Sequence, residues 1–77
     1  MDLEQEENAL RVANRDIAEA KERIKRQTDL IENLRQDGHD IKSALALLAV
    51  MQETLQTMQQ HRDMIAETVD KIRQGKI

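Results

Sequence analysis

The sequence predicts an all-α fold: an antiparallel helical hairpin of two long helices, over about residues 2–36 and 41–73, that dimerises into a four-helix bundle. Three observations predict it. Apolar residues recur every seventh position in each half of the chain. Proline, cysteine and all three aromatic residue types are absent from the 77 residues. One of only two glycines stands near the midpoint, in "LRQDGHDIKSAL", between the two periodic stretches.

In the first half, Leu3, Leu10, Ile17, Ile24 and Ile31 form an unbroken heptad row. Three places after each come Glu6, Ala13, Ala20, Gln27 and Leu34. Rows offset in this way share one face of a helix, so together they mark one long amphipathic helix. The small side chains of Ala13 and Ala20 admit a partner helix closely. Gln27 is polar on the inner face, a residue type that sets register. On the outer face, Glu19 and Glu22 stand four residues before Arg23 and Arg26, the favourable order for helical ion pairs.

The second half has its own seam. Ile41, Leu48, Leu55, Arg62 and Val69 make one row; Ala44, Met51, Met58, Ile65 and Ile72 make the other, and Leu45 widens the face near its start. At 1.5 Å per residue each helix is about 50 Å long.

Between them lies the turn, at 37–40. Gly38 follows the last seam residue of the first helix, where a left-handed backbone ends helices and glycine adopts it without steric cost. Asp40 precedes the first apolar residue of the second helix, where a carboxylate caps free backbone N–H groups. Two helices of nearly equal length on a connection this short fold back antiparallel. Residues then stand level where their numbers sum to about 77. That register sets Ala20 against Met58, Ala13 against Ile65, and Ile31 against Leu45 and Leu48; it sets Asp16 level with Arg62, the one charge in the second seam. Asp2, Glu4, Glu6 and Glu7 approach Lys71, Arg73 and Lys76 at the open end. Small faces large and acid faces base.

One stripe is not used by this hairpin. Leu47, Val50, Thr54, Thr57, His61, Met64 and Thr68 follow one another at helical spacing beside the second seam. The first helix shows only Ala9, Val12 and Leu30, scattered. A two-helix hairpin cannot cover both stripes of its second helix, so the spare one is expected to pack on a second copy or on the helix of another protein.

Composition limits what else the chain can be. Residues 1–77 read as a single domain, too small and too poor in large side chains to build a thick core. The net charge is −3; residues 1–37 hold ten acids against seven bases, and residues 38–77 five of each. Nucleic acid needs a local basic excess or aromatic stacking platforms. The nearest basic stretch, "KERIKR" at 21–26, is interrupted by Glu22 and preceded by Glu19, and aromatic residues are absent, so no nucleic-acid partner is expected. The acidic start "MDLEQEE" is unlike a secretory signal, and "ALALLAVM" falls short of the roughly twenty residues of a membrane span, so a cytoplasmic location and no membrane association are expected.

No pattern points to chemistry. Glu-x-x-His and His-x-x-x-His are missing, as is a calcium-loop pattern. In "DGHD" the turn and cap roles account for Gly38 and Asp40 without a metal. "HRD" at 61–63 falls inside a helix, out of place for a kinase catalytic loop. His61 invites comparison with the dimeric phosphoacceptor domains of bacterial histidine kinases. In those the histidine is on the first helix and an acid follows it; here it is on the second and Arg62 follows. No catalytic, cofactor or metal residues are therefore assigned, and no cofactor is expected.

The pattern "I..A..RI.RQ..LI..L..DGHD...A..LL..M..TL..M..HRD.I", residues 17–65, resembles a group of short uncharacterised alpha-proteobacterial proteins of the kind found in rhizobia. "DGHD" and the later "HRD" carry the likeness. It implies a small cytoplasmic bacterial protein and transfers no activity. The residues themselves point to a non-catalytic, self-associating interaction module, with a homodimer as the expected assembly. The alternative is a bacterial signalling module that binds a signalling protein or accepts phosphate on His61.

Overall fold

A computed structural model of the chain describes residues 2–77. It contains two α-helices, α1 (Leu3–Gln36) and α2 (Lys42–Arg73). They fold back on each other into a rod with extents of 59 × 15 × 13 Å. A continuous helix of this length would exceed about 100 Å at 1.5 Å per residue, so the break at the midpoint halves the molecule.

Asp2 starts α1: its carboxylate accepts from the Glu4 backbone N–H at 2.9 Å. Gly38 ends it with φ +78°. The N–H of Gly38 donates to the Arg35 carbonyl at 3.1 Å, and that of His39 to the Leu34 carbonyl at 2.9 Å. This pair of bonds is the Schellman arrangement, and it satisfies carbonyls that the helix end would leave bare. Gly75 repeats it after α2, with φ +72° and bonds from Gly75 to Ile72 and from Lys76 to Lys71. The start of α2 lies one residue later than the apolar pattern suggests. Ile41 is the capping residue by position, but the Asp40 carboxylate supplies the bond, accepting from the Lys42 N–H at 2.9 Å.

Every member of both heptad seams is buried or half-buried, Arg62 and Gln27 included. Full burial is reached only by Ile17, Ile31 and Val69 among the described residues. Leu45 does not join the seam; it remains 43% exposed, because its position lies on the flank of α2 beyond Ile41 and Leu48.

Three side chains fix the antiparallel register. Gln27 donates its amide to the Ala44 carbonyl at 3.0 Å. Arg62 donates to Asn14 Oδ1 at 2.9 Å and to the neighbouring Asp63 carboxylate at 2.7 Å. Arg73 meets Glu7 at 3.2 Å at the open end. The expected partner of Arg62, Asp16, instead rests against Arg15 at 3.4 Å. Asn14 is on the side of α1 to which the guanidinium turns, while Asp16 is on the other. Of the two ion pairs expected along α1, Glu22–Arg26 is within reach at 3.7 Å.

Candidate functional site

The hairpin has two long flanks, and they differ in character. On one, α2 presents Leu45, Ala49, Gln52, Gln56, Gln59 and Asp63, polar except at its first turn. On the other it presents Leu47, Val50, Thr54, Thr57, His61 and Met64, all of them exposed, with Thr68 half-buried at the end of the row. Leu47, Val50 and Met64 keep 51%, 57% and 66% of their surface in solvent.

The threonines strengthen the apolar character of this stripe. Thr54, Thr57 and Thr68 each turn their hydroxyl back to the carbonyl four residues earlier, at 2.9, 3.2 and 3.1 Å. With the hydroxyl engaged inside the helix, the γ-methyl is the group left to meet a partner. His61 contributes an exposed imidazole in the same row.

α1 also contributes to this flank, which its sequence alone did not reveal. A shallow groove runs between the helices here, lined by Asp16, Glu19, Ala20 and Arg23 of α1 and by Val50, Met51, Thr54 and Met58 of α2. Asp16, Glu19 and Arg23 belong to one row of α1, spaced by threes and fours, and the same row begins at Val12 and ends at Leu30. Val12 (37% exposed) and Leu30 (48% exposed) are therefore not scattered. They sit on the flank that carries Leu47, Val50 and Met64: Val12 level with Met64 near the open end, Leu30 level with Leu47 near the turn. Five of the seven large apolar side chains exposed among the described residues lie on this one face. The signal that would have exposed the relation is the register rule itself, applied to outer as well as inner positions.

The exposed surface is large for the mass of the chain. The chain exposes 5860 Å². A compact monomer of its 8.9 kDa would expose about 4800 Å² on the usual surface–mass relation. The difference, on the order of 1000 Å², follows from the elongated two-helix shape of 59 × 15 × 13 Å.

Among the described residues, no group of three or more His, Cys, Asp or Glu side chains stands close enough to hold a metal ion. None of the described helices is long and apolar enough to cross a membrane. Gly38 and Asp40 act at the turn as backbone devices, one through its positive φ and one through its cap. No known protein family, curated protein or solved structure matches the chain.

Proposed function

We propose that the chain is a non-catalytic interaction module that associates with itself, forming a homodimeric four-helix bundle through the apolar flank of α2. The observation that carries this reading is the exposure of Leu47, Val50 and Met64 along one face of a hairpin whose own seam is already closed. Covering them gives a gain that the isolated hairpin lacks, since a fully buried Leu, Val or Met contributes roughly 1.5–3 kcal/mol. Light scattering on the purified protein tests it. A mass twice that of the chain at micromolar concentration, falling toward the monomer on dilution, is the expected result; a monomer at all concentrations sinks the reading.

A second reading rests on His61, whose ring is exposed on the same stripe. In it the flank binds a bacterial signalling protein, or the imidazole accepts phosphate. Incubation with a small phosphodonor or a phosphorylated response regulator, followed by intact mass, tests this directly. Absence of the added phosphate when acid is avoided, or its retention in a His61→Gln variant, removes the phosphoacceptor role.

A further inference from the structure

The exposed flank is complementary to itself when turned end for end. Along α1 it reads Val12, Asp16, Glu19, Arg23, Arg26, Leu30: apolar, two acids, two bases, apolar. Reversed about the level of Lys21, the row lays Val12 on Leu30, Asp16 on Arg26 and Glu19 on Arg23. Along α2 it reads Leu47, Val50, Thr54, Thr57, His61, Met64. Reversed about the midpoint of Leu55 and Gln56, it lays Leu47 on Met64, Val50 on His61 and Thr54 on Thr57.

The two midpoints stand at one height. The three cross-helix contacts, Gln27 with Ala44, Arg62 with Asn14 and Arg73 with Glu7, centre on residue numbers that sum to about 76, which sets Lys21 beside Leu55 and Gln56. A single axis therefore serves both helices. Heptad spacing makes the positions symmetric, but not the chemistry. Shifting the axis by half a heptad along α1 would set Asp16 on Glu19 in one direction and Arg23 on Arg26 in the other. Only the level of Lys21 opposes unlike charges throughout.

We infer that the occupant of this flank is a second copy of the chain, lying face to face and end for end, with the turn of one copy over the open end of the other. The two-fold axis crosses both helices at the levels of Lys21 and of Leu55–Gln56. This arrangement rests on the self-association proposed above and specifies its geometry. The contact is isologous, so each pairing occurs twice. Apolar side chains close both ends, threonines meet beside the axis on α2, and acid–base pairs surround it on α1.

The other two-fold arrangement, with both turns at the same end, lays each α1 over the partner's α2. Asp16, Glu19 and Arg23 would then face His61, Thr57 and Thr54, so that neither Glu19 nor Arg23 meets an opposite charge. Pairing between copies requires little to be given up. In the single chain Asp16 rests against Arg15 and Arg26 against Glu22, both in exposed pairs of the kind that contribute little to stability.

The chain has no cysteine, so cross-linking reads the arrangement cleanly. Single variants Leu47→Cys and Met64→Cys are prepared, checked for dimer mass under reducing conditions, and oxidised separately and as a mixture. End for end, the thiol introduced at position 47 of one copy meets the thiol introduced at position 64 of the other. Two copies of the Leu47→Cys variant instead hold their thiols about 25 Å apart at 1.5 Å per residue, far beyond disulfide reach. The expected result is a linked dimer in the mixture and none from either variant alone. Ready linkage of Leu47→Cys to itself overturns the arrangement.

Charge variants along the α1 row, whose positions are exposed apart from the half-buried Asp16, decide the matter independently of packing. Asp16→Lys with Glu19→Lys makes the α1 row wholly basic; Arg23→Glu with Arg26→Glu makes it wholly acidic. Each double variant alone should be monomeric by light scattering, and an equal mixture should recover the dimer mass. Both remaining as dimeric as the natural chain would overturn the arrangement. A natural chain that is monomeric at every concentration overturns self-association itself. A dimer that fails the cross-linking and charge tests overturns only its end-for-end geometry.

Discussion

Gln27 donates its side-chain amide to the backbone carbonyl of Ala44, 17 residues away in sequence, at 3.0 Å. The bond is part-buried and joins the helices just inside the turn. An amide in an otherwise apolar seam contributes less to stability than to alignment, because a shifted register would leave it without an acceptor. Replacing Gln27 with Ala should cost about 1 kcal/mol, through the lost bond and lost packing. Gln27→Leu should recover or exceed the original stability while weakening the choice of register. Urea titration measures both: Gln27→Leu should raise the midpoint, and a lower slope would report the less uniform native state.

The turn makes a paired test of backbone conformation. Gly38 and Gly75 share nearly the same left-handed φ, and a Cβ built on either meets no atom within 4 Å. Substitution by Ala therefore carries only the intrinsic cost of that conformation, roughly 1–2 kcal/mol. At Gly38 this falls on the connection that every folded molecule must make, so the whole amount should appear in global stability. At Gly75 the last turn can fray instead, and the global loss should be well under half as large. Equal losses at both positions, measured by thermal unfolding, would mean that the open end is tied into the cooperative unit.

Asp40 offers a third measurement. Its carboxylate caps Lys42, and removal by Asp40→Ala should cost about 1 kcal/mol, with Asp40→Asn or Asp40→Ser retaining most of it. Loss of stability equal in Ala and Asn variants would assign the effect to charge near the helix start rather than to the cap bond.

Much of this architecture was legible in the residues. The heptad rows, the glycine at 38 and the acid at 40 are local signals, and each acts within a turn or two of where it stands. Side-chain partners were harder to read. Asp16 and Arg62 are level, yet the guanidinium bonds Asn14, because level says nothing about which side of the seam a long side chain takes. Leu45 is apolar and next to the seam, yet it stays in solvent, one position too far around the helix. The flank on α1 is hidden in the sequence for the opposite reason. Its apolar residues are separated by Asp16, Glu19, Arg23 and Arg26, and a row interrupted by charge does not look like a contact surface until the facing helix supplies the rest.

Solution scattering bears on the assembly's shape. The single chain is 59 Å long and about 15 Å across. A face-to-face pair adds one interhelical spacing, about 8–10 Å, to the thickness and almost nothing to the length. The expected dimer is therefore a bundle whose longest dimension stays near that of the monomer. Pairing through the ends would nearly double the length, and a maximum dimension above ~100 Å would rule out the face-to-face bundle.

The apolar positions at the two ends of the flank give the most direct test of what covers it. Leu47 and Met64 are 51% and 66% exposed in the single chain, so neither supports the hairpin seam. In a protein that remained monomeric, Leu47→Glu with Met64→Glu would be a pair of surface changes, expected to alter stability by no more than about 0.5 kcal/mol each. In the end-for-end dimer the same substitutions remove two contacts, made by four apolar side chains, and oppose two pairs of like charges. Each residue is already one third to one half covered, so burial of the remainder contributes roughly 1 kcal/mol apiece. Together with the repulsion, that corresponds to weakening of the dimer by about three to four powers of ten. The variant should thus be monomeric at concentrations where the natural chain is dimeric, and its melting temperature should no longer rise with protein concentration. Helical content at low temperature should be retained, because the seam through Ile17, Ile31 and Val69 is untouched. A variant with the natural mass and the natural melting would show that this flank is not where two copies meet.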